Sequence, residues 1–219
     1  MQKFLIFTLM MMVLLASCAT VNYSSLDDPL NDKKIEFSEK ELLITKTVID
    51  EATMFEDFND DAFIDSLNLV PEAIIENGVL IVDDKVRHSN GWLNVDLPNG
   101  IITSLYVCSK VDSGTGHIFL VTDTPDGHID FFNDKLGDWA HIINSPTVDY
   151  KRINSHGFGN SRVAKYRLYE LRIEEGFFVF LVNGRRLGSI PAKLTKSFSN
   201  FHVSTNDGGA GTLDYIAAK

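Results

Sequence analysis

The sequence predicts an all-β fold, a sandwich of antiparallel sheets, and three observations carry that prediction. The stretch 163–190 reads as a meander. Tyr169, Leu171 and Ile173 alternate with Glu170, Arg172 and Glu174, the period-two pattern of a half-buried strand. Glu175-Gly176 and Asn183-Gly184 then bracket the β-prone run from Phe177 to Val182, and an Asn-Gly pair tolerates the positive φ angles of a type I′ hairpin turn. The third strand runs from Arg186 to Ile190 and is expected to stop at Pro191, which has no N–H for a ladder. Second, turn signals recur roughly every 8–15 residues, the spacing of a sandwich. Third, no convincing long amphipathic helix interrupts them.

The first residues are an address rather than part of the fold. Lys3 precedes a 13-residue apolar run, Phe4 to Ala16, well short of the roughly 20 residues that span a bilayer. The run ends in Leu15-Ala16-Ser17-Cys18, which resembles the lipobox of bacterial lipoproteins. That resemblance implies cleavage before Cys18, a diacylglyceryl thioether on its sulfur and an acylated amino group, and several acyl chains give stable anchoring. Ala19 after the cysteine, by resemblance to enterobacterial sorting, implies the outer membrane. An ordinary secretory leader with an incidental cysteine is the alternative. The expected organisation is a signal peptide at 1–17, a lipidated N-terminus and flexible tether at 18–32, and one sandwich domain at 33–219.

Within that domain, Lys33 to Ala52 fits either a helix or two short strands, and strands are expected. The first core strand is expected to open within Met54–Asp61, with Asp60-Asp61 beginning a loop, and strands follow at Val79–Val82, Trp92–Leu97, Ile101–Val111 and His117–Thr122. Further strands are expected at His128–Phe132, Ala140–Ile143, Val148–Ile153, Asn200–Thr205 and Thr212–Ala217. In Trp92–Leu97, Leu93, Val95 and Leu97 share one face while Trp92, Asn94 and Asp96 share the other. The Gly-rich Asn206–Gly211 precedes a strand rather than a helix, so it makes no phosphate cradle and reads as a loop.

Three motifs resemble concanavalin A-like and laminin-G-like jelly rolls: Phe55-x-Asp57-Phe58 at the first core strand, Asn77-Gly78-x-Leu80 at the second, and Thr212-Leu-Asp214-Tyr-Ile-Ala217 at the last. With the Val182-Asn183-Gly184 hairpin, they span about Phe55 to Ala218. The resemblance implies a jelly roll of two antiparallel sheets. It leaves the ligand open, because this architecture hosts lectins, hydrolases and adhesive modules alike.

The net charge is −10, and loss of the leader removes one further positive charge, Lys3. An acidic chain argues against nucleic acid and leaves membrane attachment to the lipid rather than to basic residues. Cys108 is then the one thiol left. With no His or Lys adjacent in sequence, it is expected to be a small buried hydrophobe.

Three constellations bear on chemistry. Retaining glycoside hydrolysis needs two carboxylates about 5–5.5 Å apart, and the laminarinase-like branch of these jelly rolls carries them as E-x-D-x-E or E-x-D-x-x-E on one strand. No such string occurs. Glu170-x-Arg172-x-Glu174 has an arginine in the middle and reads as a solvated charge pattern. Calcium takes six to eight oxygens, and Asp57, Asn59, Asp60 and Asp214 are candidate ligands if the first and last strands are neighbours. The six scattered histidines form no zinc spacing. Sugar sites pair an aromatic platform with planar polar groups. Asn133, Asp134, Trp139, His141, Tyr150 and Arg152 lie within 20 residues and form the candidate carbohydrate site; Trp92 with Asn94 and Asp96 is a second. The leading expectation is an envelope lipoprotein acting as a non-catalytic carbohydrate-binding or adhesion module. The alternatives are a polysaccharide hydrolase and a structural, protein-binding lipoprotein.

Overall fold

The structure is a computed structural model. It describes residues 21–22, 36–37, 39–59, 73–76, 78–83, 93–122, 124–134, 137–149, 151–154 and 166–219. Cys18 and the leader lie outside these residues. The strands are β1 (Val21–Asn22), β2 (Glu36–Phe37), β3 (Met54–Glu56), β4 (Ala73–Glu76), β5 (Val79–Asp83), β6 (Leu93–Asp96) and β7 (Ser104–Val121). Then come β8 (His128–Asp134), β9 (Gly137–Ile143), β10 (Lys151–Asn154), β11 (Arg167–Glu174), β12 (Phe177–Val182), β13 (Arg185–Pro191) and β14 (Asn200–Ala218). Among the described residues one helix, α1, covers Glu39–Glu51.

Two antiparallel sheets form a jelly-roll sandwich, and two strands belong to both. The first half of β7 pairs with β11 and with the end of β14, while its second half pairs with β8 and with the start of β14. The first sheet therefore runs β14–β7–β11–β12–β13, and the second β6–β14–β7–β8–β9–β10. β3 and β5 add to β14 on its other side. The two layers face each other across an apolar core. Phe131 of the second sheet meets Tyr169 and Phe180 of the first edge-on, at centroid distances of 5.5 and 5.3 Å. Leu105, Val107 and Leu171 join from one side, and Ile129, Ala140, Ile142 and Val203 from the other.

The meander forms as its alternation predicts. Glu175 (φ 49°) with Gly176 (φ 78°), and Asn183 (φ 50°) with Gly184 (φ 71°), are left-handed pairs closing two-residue turns, which is why Asn-Gly suits the second of them. Pro191 is the last residue of β13, opposite Phe177, rather than one beyond its end.

Four expectations are corrected. Lys33–Ala52 holds the two-residue strand β2 followed by helix α1, where a second strand was expected. Leu42, Thr45 and Val48 recur every three residues and are buried, packing with Cys108, Leu168 and Tyr215 on the outer face of the first sheet. Its β-branched residues suggest strand, but a helix laid on a sheet needs one apolar stripe. Asn206–Gly211 is no loop; it lies inside β14, where the register against β7 shifts. Glycines suit such a bend because no Cβ hinders the turn from one layer into the other. Likewise 101–111 and 117–122 belong largely to one strand, β7. Val148 lies in a bend before β10 rather than in it.

Cys108 is fully buried beneath α1. At the end of the sandwich away from the β7 and β14 bends, Asp126 ties the β7–β8 turn to the segment before β14. Its carboxylate accepts from the backbone N–H groups of Lys193 (3.1 Å), Leu194 (2.8 Å) and Thr195 (2.7 Å) and from the Thr147 hydroxyl (2.9 Å).

Candidate functional site

Strands β8, β9 and β10 make one edge of the second sheet, and their side chains alternate between the core and the outside. Ile129, Phe131, Ala140 and Ile142 point inward. Asp130, Phe132, Trp139, His141 and Arg152 therefore share the outer face. Register places them side by side: Asp130 opposite His141 and His141 opposite Arg152, with Phe132 opposite Trp139. Trp139 and His141 are thus brought together on one face with Arg152, two residues apart on β9.

The strip is closely packed. The Phe132 and Trp139 rings stack at 6.4 Å with an 11° interplanar angle, and Phe132 meets His141 edge-on at 5.4 Å. His141 Nε2 lies 3.3 Å from Asp130 Oδ2, so the carboxylate orients the ring. The Arg152 guanidinium sits over the indole at 3.8 Å from its centroid. As a result Trp139 is only 6 % exposed while Arg152 is exposed.

Asn133 belongs to the other face. It is buried opposite Asp138, and its side-chain amide donates to Asp138 Oδ1 at 2.6 Å. Tyr169 donates to the same oxygen at 3.2 Å, and Arg167 donates to Oδ2 at 2.9 Å. Burial first, and the Asp138 charge next, push the Tyr169 hydroxyl well above its ordinary range. This network spans the two layers and is separated from the Trp139 strip by the sheet itself. The Asp134 and Tyr150 side chains and Trp92 lie outside the described residues. Asp130 and Phe132 are the members of the strip that the sequence reading passed over. Their alternation with Ile129 and Phe131 is visible in the string, but the apolar Phe132 on the outer side blurs it.

On the outer face of the first sheet, Glu170 is buried rather than solvated, which corrects the expected charge pattern. Burial raises its carboxyl above the ordinary range, against the opposing pull of Arg172. Arg172 reaches Glu170 at 3.4 Å and Glu174 at 3.1 Å, one guanidinium shared by both carboxylates. Burial and the Glu170 charge push the neighbouring Tyr106 hydroxyl up to about 12.

The candidate calcium ligands come from neighbouring segments, since β3 pairs with β14 through Glu56 and Ile216. Asp57 accepts from the backbone N–H and the side-chain amide of Asn59, at 3.2 and 2.6 Å. Asp214 is fully buried at a bulge in β14, and Asp60 lies outside the described residues. Among the described residues no three His, Cys, Asp or Glu side chains cluster as metal ligands do.

No family model matches the sequence, and no curated protein matches it significantly. Solved structures do match its fold. The laminarinase from Rhodothermus marinus superposes with a TM-score of 0.55 at 10 % identity, over 77 % of this chain and 96 % of that one. The β-glucanase of Bacillus licheniformis gives 0.53 at 12 %, over 76 % and 97 %. The κ-carrageenase from Pseudoalteromonas carrageenovora, solved with an oligotetrasaccharide of κ-carrageenan, gives 0.54 at 12 %, over 75 % and 92 %. At such identities the likeness is one of fold, and the fold is the concanavalin A-like jelly roll.

Proposed function

We propose that this chain is a carbohydrate-binding lipoprotein of a bacterial envelope, which holds glycan on the outer face of the second sheet without cleaving it. One observation carries the reading: the contiguous strip of Asp130, Phe132, Trp139, His141 and Arg152, set by register on a face that the core does not use. Aromatic rings beside planar polar groups are what sugar recognition requires. The solved structures of similar fold are named for action on polysaccharides, which favours glycan over protein as the ligand. Anchoring rests on Cys18 at the end of its apolar leader, and the outer membrane is the proposed address.

Hydrolysis is the second reading, favoured by those same neighbours. It requires two carboxylates about 5–5.5 Å apart if retaining and about 6.5–9.5 Å if inverting. On the strip Asp130 faces His141.

A glycan array probed with the full-length chain in detergent tests the first reading, with sugar release from the bound glycans measured in parallel. Binding is expected, weakened by both Trp139→Ala and His141→Ala in variants whose circular dichroism is unchanged, with no reducing ends released. A well-folded chain that binds no glycan overturns the reading, and release of sugar moves it to the hydrolase.

A further inference from the structure

We infer that the ligand of this strip is an acidic glycan, carrying carboxylate or sulfate groups, and that Arg152 is the residue that recognises the anion. The inference rests on the glycan-binding reading above and names the class of sugar. A neutral pyranose stacks on an open aromatic face. The indole of Trp139 has none to offer, because the ring is 6 % exposed and the Arg152 guanidinium lies over it at 3.8 Å. The most exposed group of this strip is therefore the cation.

That cation is well prepared for an oxyanion. The indole beneath it fixes the plane of the guanidinium, and a planar fork of N–H donors matches carboxylate and sulfur or phosphorus oxyanions in bidentate fashion. Among the described residues no carboxylate pairs with Arg152, in contrast to Arg167 with Asp138 and Arg172 with Glu170 and Glu174. The nearest acid on the face, Asp130, is held by His141 two strands away, roughly 10 Å at the usual strand spacing. His141 stands opposite Arg152 in register, beside the position for the ring that carries the anion.

The charge of the whole chain sharpens the argument. At −10 it repels polyanions at long range, so acidic glycan is not gathered non-specifically. Binding at moderate salt, where such repulsion is screened beyond about 10 Å, has to come from a local contact. Lys151 provides the internal control: it is exposed on the same strand, but pairs with Ile142 and so belongs to the opposite side of the sheet from Arg152.

The test is calorimetric titration of the full-length chain in detergent, at about 0.1 M salt, with three oligosaccharides of matched length. An oligogalacturonate carries carboxylates, a κ-carrageenan oligosaccharide carries sulfates, and a laminari-oligosaccharide is neutral. At least one acidic glycan is expected to bind tenfold or more tighter than the neutral one, and the two acidic arms tell carboxylate from sulfate. Arg152→Met, which keeps an aliphatic cover on the indole, is expected to lose about tenfold or more, the order of a hydrogen bond to a charged group. Lys151→Met is expected to stay within twofold of wild type. Equal losses in the two variants overturn the inference, since they indicate general attraction. Tighter binding of the neutral glycan, unaffected by Arg152→Met, overturns it while leaving the glycan-binding reading intact. A folded chain that binds none of the three overturns both.

Discussion

A buried carboxylate is costly unless its oxygens are satisfied, and Asp126 shows how few residues that takes. Burial alone would raise its pKa. The amides of Thr195 and Leu194, with the Thr147 hydroxyl, outweigh burial and hold it below the ordinary aspartate range. The turn that presents it is equally constrained: Gly127 has φ 117°, and a Cβ there would stand 2.7 Å from the Ile143 carbonyl oxygen. Asp126→Asn keeps the shape but replaces one acceptor oxygen with an NH2 group that faces donors. We expect it to lower stability at pH 7 by about 2–3 kcal/mol, the order for hydrogen bonds to a charged group. Because the folded-state carboxyl is lowered, its contribution is present above the unfolded value of about 3.9 and lost as pH falls through the folded value. Urea midpoints of wild type and variant should therefore draw together as pH falls below the unfolded value and meet once it is below the folded value. A gap that persists there refutes the ionic account.

At the level of elements, the hairpin between β12 and β13 is also a seat for α1. Asn183 receives the Leu168 N–H at 2.8 Å and donates to Glu41 of the helix at 2.8 Å. Gly184 lies against the helix, where an added Cβ would stand 2.7 Å from Ile44 Cδ1. Gly184→Ala meets both a left-handed φ and that contact, so a loss of at least about 1 kcal/mol in thermal or urea unfolding is expected. A neutral result would mean that the turn and helix yield freely. The hairpin itself was legible in the string because its turn chemistry is local. The helix was not: Leu42-Leu43 and Val48-Ile49 suit either period, and the sheet that selects one face of it is built largely from residues more than 50 positions downstream. Site residues divide the same way. Trp139, His141 and Arg152 follow from two-residue alternation once β9 and β10 are adjacent. Asn133 faces inward by the same alternation with Ile129 and Phe131, but its partner Asp138 is set by a register no local pattern encodes.

For the molecule as a whole, the two layers are joined by polar as well as apolar contacts. Asp138 and Asn133 of the second sheet meet Arg167 and Tyr169 of the first, leaving Asp138 1 % exposed with all its oxygens engaged. Removing one partner of such a pair leaves a stranded charge, whereas replacing both by apolar groups is often close to neutral. Asp138→Ala is expected to cost about 3–5 kcal/mol, and the double variant Asp138→Leu, Arg167→Met distinctly less. Chemical denaturation of both variants decides the matter; a double variant as weak as the sum of its parts would show that the pair stabilises in its own right.

The strands that pass through both layers set the order in which the chain can complete itself. The last strand, Asn200–Ala218, pairs with β3, β5, β6 and both halves of β7, so its partners begin more than 140 residues earlier. A growing chain released N-terminus first can form the β11–β13 meander, but neither layer closes until its final residues are free. Most native pairings are distant in sequence, the regime of slow, late-committing folding. Until then the edge of β7 is open to any strand, its own or a neighbour's. The nineteen residues of β14 are the switch that ends this interval.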